Sequence, residues 1–251
     1  MIDSATIALA LAIALGVLVP LLGALEHRFV RSSPDTQRKL TYYAISIVSS
    51  WALTVAAVLI FGVDRLGAFA SPWAAWLPFA SITGPLILIL LAVYFLLGLM
   101  PLIHSLRGPR WRRAAAKAYR RHAEDFPGFL PDNAVERLGF ALFGLTAGVC
   151  EEALYRGFLI RYLHDGAPAL PVLLALAISS LTFGLGHIYQ GAPNVLRISL
   201  GGVAFGLVFL LSGSLIPAIV LHILIDLQIP FILRPLPGES GPAENGVPGL
   251  L

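Results

Sequence analysis

The sequence predicts an all-α fold, a polytopic membrane helix bundle of about seven transmembrane helices. Three observations carry this expectation. Hydrophobic residues make up 57% of the 251-residue chain and charged residues 12%, with a mean hydropathy of +0.83. Soluble domains carry about 25% charged residues, so much of this surface must face lipid rather than water. The apolar residues also fall into seven separate runs, near 5–25, 41–62, 79–103, 138–163, 168–187, 195–212 and 214–233. Each is close to the roughly 20 residues a helix needs to cross a bilayer. Helix is the expected form, because an open sheet leaves backbone groups unpaired in hydrocarbon.

The first run follows Met1-Ile2-Asp3-Ser4, which has no basic residue, and continues to about Leu25. A cleaved signal peptide has a basic start and a shorter apolar core, so this run reads as a retained first span. The loop after it carries Arg28, Arg31, Arg38 and Lys39, and the second loop, about 63–78, carries only Arg65. The third carries Arg107, Arg110, Arg112, Arg113, Lys117, Arg120 and Arg121. That alternation places loops one and three in the cytoplasm and the N-terminus outside. From Arg110 to Asp125 the third loop reads as a basic helix with Trp111 and Tyr119, lying on an anionic leaflet. The alternative is a solvated basic loop that only fixes topology. Phe126-Pro127-Gly128 ends it, and Asn133 with Glu136 three residues later forms a capping box that opens the fourth span.

The chain therefore divides into a three-span region with its basic loop (1–132), a core (133–233) and a Pro/Gly-rich tail (234–251) expected to be disordered. A net charge of +3 and a pI near 9.2 do not imply nucleic acid, because the basic residues cluster in short stretches between apolar runs. Cys150 is the only cysteine, which excludes an intrachain disulfide framework or a thiolate zinc site.

Ionisable groups at bilayer depth are costly and usually functional. The fourth run contains Glu151 and Glu152, about 14 residues and roughly 21 Å of helix beyond Arg137. Glu152 and Arg156 are four apart and share a face, so they are expected to pair. Glu151 is rotated about 100° away with no partner on its own helix. Such a carboxylate suits a general base. The alternative is that the segment ends early and the acids cap it at the interface.

The fifth run brings Phe183 and His187, and the seventh His222 and Asp226, each pair four apart. A lone intramembrane histidine serves as often in helix association as in catalysis. Three polar faces on three helices imply one shared cavity, with Glu151, His187 and His222 converging on it. His27, His104, His122 and His164 lie at segment ends or in basic loops and are read as structural. Arg197 and Ser199 read as interfacial, and Gly201, Gly202 and Gly206 as a small-residue packing face.

The ordered set Glu-Glu-x-x-x-Arg (Glu151, Glu152, Arg156), Phe-x-x-x-His (Phe183, His187) and His-x-x-x-Asp (His222, Asp226) resembles the CAAX prenyl protease and bacteriocin-processing (CPBP) family of intramembrane glutamic proteases. The resemblance covers about residues 133–233 and implies an intramembrane endopeptidase. Glu151 would then activate a water that His187 helps to hold, and Glu152 and Arg156 would orient the site. His222 and Asp226 would stabilise the oxyanion, and Phe183 would shape the substrate pocket. It implies no cofactor. Zinc, held by Glu151, His187 and His222, is the disfavoured alternative, since His-Glu-x-x-His is missing.

The expected partners are membrane lipid and a membrane-embedded peptide or protein tail, with no nucleic acid. The alanine- and arginine-rich composition points to a bacterial plasma membrane. A non-proteolytic scaffold or a proton-coupled transporter is the competing reading. The transporter is disfavoured by the lack of an inverted repeat of broken helices.

Overall fold

The chain is an integral membrane helix bundle. The structure, a computed structural model, describes residues 4–33, 35–68, 80–125, 128–166 and 169–236. Among these, six helices are long and apolar enough to cross a membrane: Ala5–Ser32, Thr36–Phe61, Ser81–Ser105, Ala134–Asp165, Ala192–Ser212 and Leu215–Ile232. The fifth apolar run supplies a seventh, shorter helix of 14 residues. At 1.5 Å per residue it reaches about 21 Å, less than a hydrocarbon core of about 30 Å. The bundle's surface is apolar where a soluble protein's is polar. Leu59 is 82% exposed and Ile82 70%, whereas Glu136, Glu152 and Arg156 are buried.

In chain order, α1 (Ser4–Ile13) and α2 (Val19–Ser32) are halves of the first span, joined by a π-helical turn. Helix α3 (Thr36–Phe61) starts at Asp35, whose carboxylate accepts from the Arg38 N–H at 2.9 Å. It stops at Gly62, whose φ of +78° suits glycine. Short α4 (Val63–Gly67) follows, then α5 (Ala80–Ser105), which tolerates Pro85 and Pro101 as membrane helices can. The basic stretch of loop three is helical, α6 (Pro109–His122). Its Arg112 is buried and donates to the carbonyl of Pro235 at 3.1 Å. The expectation of a disordered tail otherwise falls on 237–251, outside the described residues, as do Met1–Asp3, most of loop two and Phe126-Pro127.

Helix α7 (Ala134–Glu151) opens with the capping box that its spacing predicts. Asn133 Oδ1 accepts from the Glu136 N–H at 2.9 Å, and the Glu136 carboxylate accepts in return from the Asn133 side-chain Nδ2 and the Asp132 backbone N–H, both at 2.8 Å. The sequence predicts one regular helix onward to about Leu163. Instead, Glu152–Leu159 is π-helical and buried at all eight residues. The reason is its position at the hub of the bundle, packed by α3, α4 and the last three spans on every side. π-helical turns occur mostly as local features of this kind and are frequent at functional sites. Helices α8 (Ile160–Asp165), α9 (Val172–Leu185), α10 (Ala192–Ser212) and α11 (Leu215–Ile232) complete the chain. Helix α11 lies close against α7 because Gly144 and Gly148 face it. A Cβ on Gly148 would meet the Ile223 backbone at 3.1 Å, and one on Gly144 the Asp226 Cβ at 3.0 Å.

A buried ionic cluster ties α3 to α7. Lys39, read from sequence as a loop charge, is 2% exposed. Its ammonium donates to Glu136 Oε2 and the Leu130 carbonyl, both at 3.0 Å, and to Asp132. Thr36 donates to Glu136 Oε1 at 2.6 Å, and Arg120 to Asp132 at 2.8 Å. Removing one partner of a buried pair strands the other charge, so Lys39→Met should cost about 3 kcal/mol, read from unfolding in detergent. Burial pushes the Asp132 carboxyl up, but the hydrogen bonds from Lys39 and Arg120 outweigh it and hold it below the usual range. A depressed carboxylate stabilises the fold above its unfolded pKa of about 3.9 and loses that contribution as pH falls through the folded value. The melting temperature should therefore fall below about pH 4, less steeply in Asp132→Asn.

Candidate active site

Each candidate side chain is placed by a different local device. Glu151 ends the α-helical part of its span and Glu152 begins the π-helical part. Phe183 lies in the last turn of α9, and His187 falls just past the helix end, before a 3₁₀ turn at Ile188–Gln190. The sequence expectation that His187 shares a helical face with Phe183 is corrected in that detail, because the chain must turn here into α10. The pair stays together nonetheless. His187 Nδ1 lies 3.0 Å from the Phe183 carbonyl, and the two rings meet edge to face at 5.1 Å. A carbonyl only accepts, so Nδ1 carries the proton and Nε2 of the neutral ring is left as an acceptor.

The two adjacent glutamates have different surroundings. Glu152 is fully buried, and its Oε1 receives Arg156 Nη1 at 2.9 Å and His222 Nδ1 at 2.8 Å. The predicted Glu152–Arg156 pair is thus present, with His222 as a third member. Arg156 also donates to the Gly202 carbonyl at 3.3 Å. Its guanidinium lies over the Phe183 ring at 4.4 Å and the Phe205 ring at 5.4 Å, so its charge is held by an acid, a carbonyl and two aromatic faces. Glu151, with 22% of its side chain exposed, is the glutamate that solvent can reach.

His222 connects the two. With Nδ1 bound to Glu152, its Nε2 is 3.7 Å from Glu151 Oε2 and 3.7 Å from Asp226 Oδ2. Both gaps exceed hydrogen-bond range, so neither carboxylate is capped by the imidazole. The ring stacks on Phe205 at 4.9 Å, which with the Glu152 bond fixes its orientation.

Glu151, Phe183, His187, His222 and Asp226 line one cavity of about 300 Å³. Its walls are otherwise mainly apolar and aromatic, and Tyr119 and His122 of α6 also line it. The cavity therefore reaches the side of the arginine-rich loops. Sequence reasoning read His122 as structural and Arg197 as interfacial. Both line the cavity, and Arg197 Nη1 lies 3.1 Å from His122 Nε2. Burial and the nearby Asp226 push the Tyr119 hydroxyl up to about 12, so it remains a proton donor on this wall.

The glycines of α10 are a packing face as expected. A Cβ on Gly202 would sit 3.0 Å from the Ser180 backbone. Gly202 adds the carbonyl that Arg156 uses, which no residue-type pattern announces. Phe205 was also missed, and its place one turn after Gly202 on the same helix was the available signal. Among the described residues, no group of three or more His, Cys, Asp or Glu side chains is arranged to hold a metal ion.

Residues 133–228 match the family model described as Rce1-like, type II CAAX prenyl endopeptidase Rce1-like. The matched stretch runs from the Asn133 cap to just past Asp226 and holds every residue of the three motifs. No curated protein and no solved structure matches the chain.

Proposed function

We propose that this protein, whose residues 133–228 match the Rce1-like family model, is a glutamate-dependent intramembrane endopeptidase of the CPBP kind. Its substrate is the membrane-embedded tail of a peptide or protein. The observation that carries this reading is the accessible, uncapped Glu151 carboxylate sharing one mainly apolar cavity with His187 and His222.

In this reading, Glu151 takes a proton from water while His187 Nε2 accepts the water's second hydrogen bond. The water oxygen attacks the scissile carbonyl carbon and forms a tetrahedral oxyanion. The His222 Nε2–H faces that oxyanion, with Asp226 3.7 Å from the same ring nitrogen, and charge stabilisation of this type is usually a large part of acyl-transfer catalysis. Collapse of the intermediate breaks the C–N bond, and the proton held by Glu151 passes to the departing amine. Glu152 and Arg156 touch no reacting atom. They hold His222 in register. No step in this reading uses a metal. The cavity meets the side of the arginine-rich loops, so cleavage is on the cytoplasmic side of a bacterial plasma membrane, with the N-terminus outside.

The test uses the full chain in lipid vesicles with a panel of membrane-anchored peptides, run in ¹⁸O-labelled water. The expected result is a new C-terminus carrying one ¹⁸O, inside or just below the apolar segment. Intact peptides across the panel, with proton flux across the vesicle membrane instead, would favour a transporter and overturn the proposal.

A further inference from the structure

A second, smaller cavity touches the same catalytic groups from another direction. It has a volume of about 130 Å³ and is shared between α2, α3 and the turn after α9. Glu151, His187, Tyr189 and Phe143 line both cavities and so form the partition between them. The lining differs in kind from that of the larger one. Glu26, Ser46, Ser49 and Ser50 stand along its wall, and Ser46 donates to Glu26 at 3.3 Å. Gly23 lies at its inner end, beside the Gly186 carbonyl and the Tyr189 ring.

A carboxylate and three hydroxyls are expensive to place inside helices that otherwise face lipid, and the catalytic reading leaves them without a task. We infer that this cavity is a water inlet, which supplies the hydrolytic water to Glu151 from the side opposite the substrate. The volume holds about four waters at roughly 30 Å³ each. Glu26 and the serines give those waters the two to four polar partners that a buried water needs. A peptide filling the larger cavity would cover Glu151 on that side and shut out solvent. The second passage keeps the carboxylate wet while the substrate is bound. It also explains why first-helix residues with no motif of their own lie against the catalytic core.

This inference rests on Glu151 being the base, and the experiment separates the two claims. Ser46→Ala removes the hydrogen bond to Glu26 and leaves the space open, whereas Ser46→Leu removes the same bond and fills the space. In vesicles, Ser46→Leu should lower kcat at least tenfold with KM within twofold, and Ser46→Ala should stay within twofold of the native rate. A native kcat in Ser46→Leu, with Glu151→Gln inactive, would overturn the inlet and leave the protease reading standing. Activity in Glu151→Gln would overturn both. Should the leucine variant fail to fold, Ser46→Cys provides the second measurement. A small charged methanethiosulfonate should label the introduced thiol as fast with saturating peptide as without it. Native Cys150, fully buried, is the unlabelled control. Protection by the peptide, or no labelling, would also overturn the inlet.

Discussion

Glu151→Gln is expected to lower the cleavage rate about 1,000-fold, within the 10² to 10⁴ that a positioned general base contributes. The substitution keeps shape and polarity and removes only the ability to take a proton. The nearest imidazole nitrogen is 3.7 Å away, so no short ion pair is broken. The variant should fold and melt like the native protein, and KM should stay near the native value. Initial rates on a vesicle-embedded peptide, set beside a thermal melt of the same preparation, provide the check. Unchanged rates would move the base elsewhere. A collapse of the melt would mean that Glu151 holds the fold together rather than performing the chemistry.

The opposite pattern is expected at the Glu152–Arg156 pair. Arg156→Met leaves Glu152 buried with only His222 beside it, and breaking a buried ion pair by removing one partner costs about 3–5 kcal/mol. It also removes the guanidinium that lies over the Phe183 and Phe205 rings. The variant should lose activity because it unfolds early, which denaturant titration in detergent will register. Adding Glu152→Gln removes the stranded charge, so the double variant should recover part of the lost stability while remaining slow, since His222 then lacks its carboxylate. The two substitutions share one hydrogen-bond network, so their effects should fall well short of additive. Equal and additive losses would show that the pair is not coupled.

The polar cluster inside the bundle was legible in the sequence, and the reason is energetic. Charges in hydrocarbon cost so much that Glu151, Glu152, Arg156, His222 and Asp226 stand out against an apolar background, and four-residue spacing says which of them share a face. The capping box at Asn133 was legible for a similar reason, because its bonds span three residues. What stayed hidden depends on distant partners. Lys39 looks like a loop charge until α7 brings Glu136 against it, about a hundred residues later. The π-helical register after Glu151 is set by the elements packed around it and not by local preference. The Gly202 carbonyl is a backbone acceptor, so residue type carries no trace of its use. The water inlet draws its polar wall from the first two spans, where each hydroxyl taken alone is unremarkable in a membrane helix.

The most direct test is to locate a bound tetrahedral mimic. A peptide phosphonate, with the phosphoryl group in place of the scissile carbonyl, would be added to the protein in nanodiscs and imaged by electron cryomicroscopy. The expected density puts one phosphoryl oxygen against Glu151 and another within hydrogen-bond range of His222 Nε2, in the cavity that Phe183 and His187 border. A phosphonate seated away from Glu151, or a Glu151 side chain turned out to lipid in that complex, would contradict the assignment.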